Sequence, residues 1–119
     1  AARAGRAAEQ WEIEGLDAGK VGESLFFTAS GFDRGRHWKR DELMRICQTN
    51  AERLELKLRD FLKPLFVAIS GRDVTLPLFD SMAFIGSDIT RIRIREALNT
   101  VGVSKKLAKR LEKAYQQHS

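Results

Sequence analysis

The chain has 119 residues, 43% of them apolar and 31% charged, which is one domain's worth of chain with enough apolar surface for a single core. One cysteine and two widely separated histidines exclude an intramolecular disulfide framework and a Cys/His-rich metal site. No apolar run approaches the roughly 20 residues of a membrane helix; the net charge of +5 favours a polyanionic partner such as nucleic acid, or an acidic protein surface.

The charge is uneven. Residues 1–38 carry 5 basic and 6 acidic groups, whereas residues 39–119 carry 16 and 10. The N-terminal stretch also holds six of the nine glycines, namely Gly5, Gly15, Gly19, Gly22, Gly31 and Gly35. That density disfavours long helices and strands. Residues 1–37 are therefore expected to be a Gly-rich, irregular extension or linker, and residues 38–119 a helical domain. Residues 1–8, small and Arg-bearing without an acid, read either as the end of an organellar targeting segment or as a plain tail. Residues 24–29 read either as a short strand or as a buried helical turn, since periodicity does not arbitrate over six residues.

From residue 38 the pattern is helical. Leu43, Ile46, Cys47, Asn50, Leu54 and Leu58 recur at three- and four-residue steps, which predicts an amphipathic helix over 39–56 with Asp41 and Glu42 at its favourable end. Cys47 lies on the apolar stripe and reads as a small buried hydrophobe. Residues 57–63 form a basic amphipathic turn. Pro64 is expected to open a new, very apolar segment, residues 65–69, closed by Gly71 as a left-handed C-cap. Val67 and Ile69 leave a strand reading of that segment open. Pro77 opens the next helix, with Leu78, Phe79, Met82, Ala83 and Ile85 inward, and Gly86 ends it. Ser87 is expected to cap the following helix, with Ile89, Ile92, Leu98 and Val101 buried and Ile94 and Ala97 assisting. Arg91 and Arg95 share its outer face. Gly102 stops it, and Ser104 caps a last helix over 105–117, with Leu107, Leu111 and Ala114 inside. The expected fold is all-α, a compact bundle of about five helices with an irregular N-terminal extension.

No catalytic constellation is present. His37 and His118 stand in the Gly-rich part and in the last two residues, so neither a Ser/His nor a Cys/His nucleophile pair is supported. Gly19-Lys20-Val21-Gly22 lacks the spacing of a phosphate loop. Asp41 and Glu42 are adjacent on a helix and do not face one another. No catalytic residue, metal ligand or cofactor is expected within these 119 residues.

One composite pattern is specific. It runs Lys57-Leu58-Arg59-Asp60, Pro64-Leu65-Phe66-Val67-Ala68-Ile69-Ser70-Gly71-Arg72, Leu78-Phe79-Asp80, Ile85-Gly86, then an Arg-rich helix to Ala97-Leu98. This resembles the C-terminal anticodon-binding subdomain of bacterial-type glutamyl-tRNA synthetase over about 60 residues. The resemblance implies an all-helical module that holds the anticodon loop of tRNA. Carried over by position, Thr75, Leu76 and Leu78 lie at the unstacked bases, with core packing as the alternative for Leu76 and Leu78. Beside them, Arg72 is expected at phosphate or a base edge, and the basic helices, with Arg91 and Arg95, are expected to supply salt-dependent affinity. The family commonly carries Arg where this chain has Phe66, so a bidentate donor is replaced by a ring that stacks on a base or is buried. The ATP-handling signatures of the synthetase catalytic domain are absent, so this chain does not charge tRNA alone.

The first reading is thus a tRNA-anticodon-binding module, with a catalytic domain or neighbouring subunit met through residues 1–37, no membrane, and a cytoplasmic or organellar-matrix location. A second is a non-catalytic structural subunit of a larger assembly that reuses the fold. A third is a helix-turn-helix DNA-binding unit over 88–117, suggested by Gly102-Val103-Ser104 between two helices.

Overall fold

A computed structural model describes residues 11–70 and 77–117. These residues form six helices and no strand: α1 Ala18–Arg34, α2 Arg40–Arg53, α3 Leu58–Ser70, α4 Leu78–Ile85, α5 Ser87–Thr100 and α6 Lys105–Gln117. The all-α class is as the sequence indicates. Gly71, the expected C-cap, lies outside the described residues.

The largest departure is α1. The stretch expected to disfavour a long helix holds one of 17 residues. Asp17 starts it, its Oδ1 accepting from the Lys20 backbone N–H at 2.8 Å. Residues 24–29 lie inside it, which settles their reading as helical. An interior glycine costs about 0.5–1 kcal/mol relative to alanine. Burying one Phe or Leu side chain contributes about 1.5–3 kcal/mol, and Leu25, Phe27 and Phe32 are all essentially inaccessible. Tertiary burial therefore outweighs local propensity. The glycines also set how closely neighbours approach. A Cβ at Gly22 would meet Val103 Cγ2 at 3.0 Å, and one at Gly31 would stand 2.6 Å from Ile46 Cγ2 and 2.7 Å from Asn50 Nδ2. α1 packs against α2, α3, α5 and α6, so it is the centre of the assembly.

α2 follows the expected stripe, with Leu43, Ile46, Cys47, Asn50 and Ala51 buried and Asp41 and Glu42 in its first turn. Burial pushes the Cys47 thiol up to about 12, as befits a small core residue. The helix closes through Glu55, whose φ is 56°. The Leu56 N–H donates to Ala51 O at 2.9 Å and the Glu55 N–H to Glu52 O at 3.0 Å, a paired C-terminal closure that usually employs glycine.

α3 joins two segments that the sequence separates. Pro64 does not open a helix; it sits in the interior of one that begins at Leu58. The missing N–H removes one bond of the helical ladder, at about 3 kcal/mol for an interior site. Phe61, Leu65, Ala68 and Ile69, all buried on one face of this helix, hold it together across that gap. The strand reading of Val67 and Ile69 falls with it.

Pro77 is the N-cap of α4 rather than its first residue. Phe79 and Met82 are buried there, whereas Ala83, expected inside, is exposed. Gly86, at φ 91°, ends α4 and begins α5. Ser87 is already helical and makes no capping bond; the Thr90 hydroxyl donates to Gly86 O at 2.8 Å instead. The buried stripe of α5 is Thr90, Ile94 and Ala97. Ile89 and Ile92, expected inside, are 45% and 51% exposed. Small Thr90 and Ala97 allow close approach to the neighbouring helices, and that rotation turns the two isoleucines outward.

Gly102, at φ 84°, closes α5, with the Val103 N–H donating to Leu98 O at 3.0 Å. Ser104 caps α6 as expected, its hydroxyl accepting from Leu107 N at 3.1 Å. Leu107, Leu111 and Ala114 are half-buried, and Tyr115 is the buried anchor, edge-on to Phe27 at 5.1 Å. The main core joins all six helices around Phe27, Phe32, Phe61, Leu65 and Met82, with α6 entering through Tyr115. A second cluster holds Trp11 against Val21, Leu25, Ala68 and Ala97.

Candidate nucleic-acid interface

Two of the expected site residues meet in one groove. Phe66, on the outer face of α3, and Leu78, in the first turn of α4, line a surface concavity of about 590 Å³. Leu62, Val67 and Ile13 complete its apolar wall, and Arg59, Lys63 and Glu12 its polar edge. The groove forms because α3 presents Leu62 and Phe66 one turn apart, next to the start of α4. Phe66 is 45% exposed, so its ring offers a face to a ligand as well as a wall to the groove. Arg72, Thr75 and Leu76, which belong to the connection between these two helices, lie outside the described residues.

The cations at the edge are held differently. Lys63 Nζ donates to Glu14 O at 3.1 Å and pairs with Asp60 at 3.1 Å, which ties the segment before α1 to α3. Arg59 reaches the same carboxylate only at 4.0 Å, and its side chain is 77% exposed. Arg59 is thus the freer charge beside the apolar wall. The sequence marks it as basic but gives no reason to single it out.

Arg91 and Arg95 are not brought to this groove's lining. Arg91 Nε pairs with Asp33 at 3.0 Å, its Nη2 donates to Phe32 O at 3.3 Å, and its guanidinium stands 5.7 Å from the Trp38 ring. It ties α5 to the C-terminal turn of α1. Arg95 is exposed. Arg93, on the same helix, donates from Nη1 to Ile69 O at 2.7 Å. It satisfies a carbonyl in the last turn of α3, directly before the connection that carries Arg72, Thr75 and Leu76. No pattern in the sequence signals that contact, because it spans 24 positions.

The arrangement suits an unpaired base. Apolar and aromatic walls take base faces, and exposed cations at the rim take backbone phosphate. Among the described residues no group of His, Cys, Asp and Glu is placed to hold a metal ion. No described helix is long and apolar enough to cross a membrane.

Comparison with known proteins bears on the same segment. Three relatives are each named glutamate–tRNA ligase. That of Marinomonas sp. (strain MWYL1) is 51% identical over 79 residues, covering 66% of this chain and 16% of the relative. That of Alcanivorax borkumensis is 46% identical over 85 residues, covering 71% and 17%. That of Saccharophagus degradans is 37% identical over 108 residues, covering 90% and 22%. The chain therefore spans about a fifth of the length of the relatives it matches. The family model described as "Anticodon binding domain" matches residues 9–98, from before α1 to the last turns of α5. By that match the chain belongs to the anticodon-binding-domain family.

Proposed function

We propose that the chain is the anticodon-binding module of a glutamate–tRNA ligase and holds the unstacked anticodon bases of its tRNA in the α3–α4 groove. The observation that carries this reading is the meeting of Phe66 and Leu78 on the two helices that flank the 71–76 connection. Family membership supports an anticodon loop as the RNA element, and the apolar groove with its basic rim supports the α3–α4 face as its seat. Phe66 stacks on one base, Leu78 packs against a neighbour, and Arg59 and Arg95 meet phosphate. Thr75, Leu76 and Arg72 complete the contact from the connection. The aminoacylation itself belongs to the remainder of such a ligase, and the module supplies affinity and anticodon discrimination. As part of such a ligase it works in the cytoplasm or an organellar matrix.

The test is fluorescence anisotropy with a labelled glutamate tRNA transcript and an anticodon-swapped transcript. Phe66→Ala should weaken binding of the cognate transcript by about 1–3 kcal/mol, the usual worth of one base–aromatic stack. Equal affinity of the unaltered chain for both transcripts would sink the anticodon reading.

A further inference from the structure

A second concavity lies where α1, α2 and α6 meet. It has a volume of about 220 Å³ and is lined by Arg34, Arg45, Thr49, Asn50, Arg53 and Tyr115. Gly31 and Gly35 also line it. Gly31 brings α1 close to α2 at the pocket's edge: a Cβ there would stand 2.6 Å from Ile46 Cγ2 and 2.7 Å from Asn50 Nδ2, and 3.7 Å from the Tyr115 hydroxyl oxygen. Tyr115 is the chain's single tyrosine.

The charges in this pocket are unequal. Arg45 is committed to Glu42 through two bonds of 3.0 and 2.8 Å. Arg34 touches Glu112 through one contact of 3.4 Å, with half of its side chain exposed. Arg53 donates to Asn50 Oδ1 at 3.3 Å and has no carboxylate partner among the described residues. Both Arg34 and Arg53 place the guanidinium carbon 4.9 Å from the centre of the Tyr115 ring. Two like charges thus share one ring, and two carboxylates offset three guanidinium groups. The pocket is left with an excess of positive charge, which an anion offsets. Planar forks with hydroxyls beside them, from Thr49 and Tyr115, suit a tetrahedral oxyanion.

We propose that this pocket is a second RNA contact, an oxyanion site in which Arg53 and Arg34 hold one backbone phosphate. The inference deepens the reading of the chain as a tRNA-binding module and rests on it. The contact carries no base information, so it adds affinity equally to every anticodon variant. It fixes the orientation in which the anticodon loop reaches the α3–α4 groove. None of its residues lines that groove.

The experiment compares the 119-residue chain with Arg53→Gln and Arg53→Lys. Anisotropy with the glutamate tRNA transcript is measured across a salt series. Arg53→Gln should lower the magnitude of the log–log salt slope by about 0.7–0.9 and the affinity by about five- to tenfold at 0.1 M salt. The loss should be equal for the anticodon-swapped transcript. Arg53→Lys should restore most of the slope, which a merely structural role in packing on Tyr115 would not do. In parallel, inorganic phosphate is titrated while the ring signals of Tyr115 are followed by NMR. Those signals should shift in the unaltered chain and not in Arg53→Gln. An unchanged salt slope in Arg53→Gln overturns the RNA contact, whatever free phosphate does. A Tyr115 ring that ignores phosphate overturns the oxyanion site. If the unaltered chain binds no tRNA, the module reading and this contact fall together; a phosphate shift that persists then marks a free-phosphate pocket.

Discussion

Replacing Gly31 with alanine should destabilise the fold, although glycine-to-alanine in a helix is ordinarily favourable. The helical gain is about 1 kcal/mol. Against it, the new methyl would stand 2.6 Å from Ile46 Cγ2 and 2.7 Å from Asn50 Nδ2. Carbon contacts settle at roughly 3.5–4.0 Å, so α1 and α2 must part by nearly an ångström or Ile46 and Asn50 must move. Both are core residues, with Asn50 1% and Ile46 6% exposed. Overpacking of this kind costs about 1–3 kcal/mol. Moving Asn50 also strains its Nδ2 bond to Ile46 O, which is 3.1 Å long and worth about 1 kcal/mol. The balance is a loss of about 2 kcal/mol, or roughly 6–12 °C in Tm for a chain of this size. Thermal melting by circular dichroism measures it. Gly19→Ala is the control, in the same helix but exposed, with only Asp17 Oδ1 at 3.3 Å from the added carbon. Gly19→Ala should melt within about 3 °C of the unaltered chain. A Gly31→Ala chain that melts at or above the unaltered one would refute the close-approach argument.

Arg91 and Arg95 should separate on mutation. Arg91→Ala removes the tie to Asp33 and Phe32 O and should lower stability by about 1 kcal/mol, read as a fall in Tm. Arg95→Ala should leave Tm in place and lower the salt slope of tRNA binding by about 1, read by anisotropy. Cys47 gives a pH dependence. Its thiol titrates at about 12 in the folded chain against an ordinary 9.0, so the folded state keeps a proton that the unfolded state releases. Stability is undiminished below pH 9 and falls at up to about 1.4 kcal/mol per pH unit from there toward 12. Urea melts at pH 8, 9.5 and 11 should show that fall in the unaltered chain and a shallower one in Cys47→Ala.

The sequence speaks clearly where a local rule and the tertiary structure agree. Asp41 and Glu42, Gly86, Gly102 and Ser104 mark helix ends by chemistry that acts within one turn, and all lie at or beside the observed ends. α1 is hidden because a count of glycines reports propensity, while Gly22 and Gly31 serve as points of close packing against residues far along the chain. The isoleucines of α5 mislead for a related reason. Ile89, Ile92 and Ile94 lie around much of the helix, so the apolar pattern does not choose a face; Thr90, a polar residue, marks it. Phe66 and Leu78 are reached through the family pattern, and the groove places them together. The partners of Arg91 and Arg93 are out of reach, because ties across 58 and 24 positions leave no periodic trace.

The way α6 is attached has a consequence for motion. It packs mainly on α1, and Tyr115 is its one buried residue among those described. A helix fixed at so few points opens more cheaply than the whole molecule unfolds. Its amides should therefore exchange with solvent ahead of those of α1, which is gripped from four sides. When α6 lifts away, Tyr115 leaves Arg34 and Arg53, and the two guanidinium groups lose the ring they share. The docked state of α6 and the shape of that pocket are one equilibrium. An anion that prefers the docked form must slow exchange along α6, and loosening the helix must weaken the anion's hold.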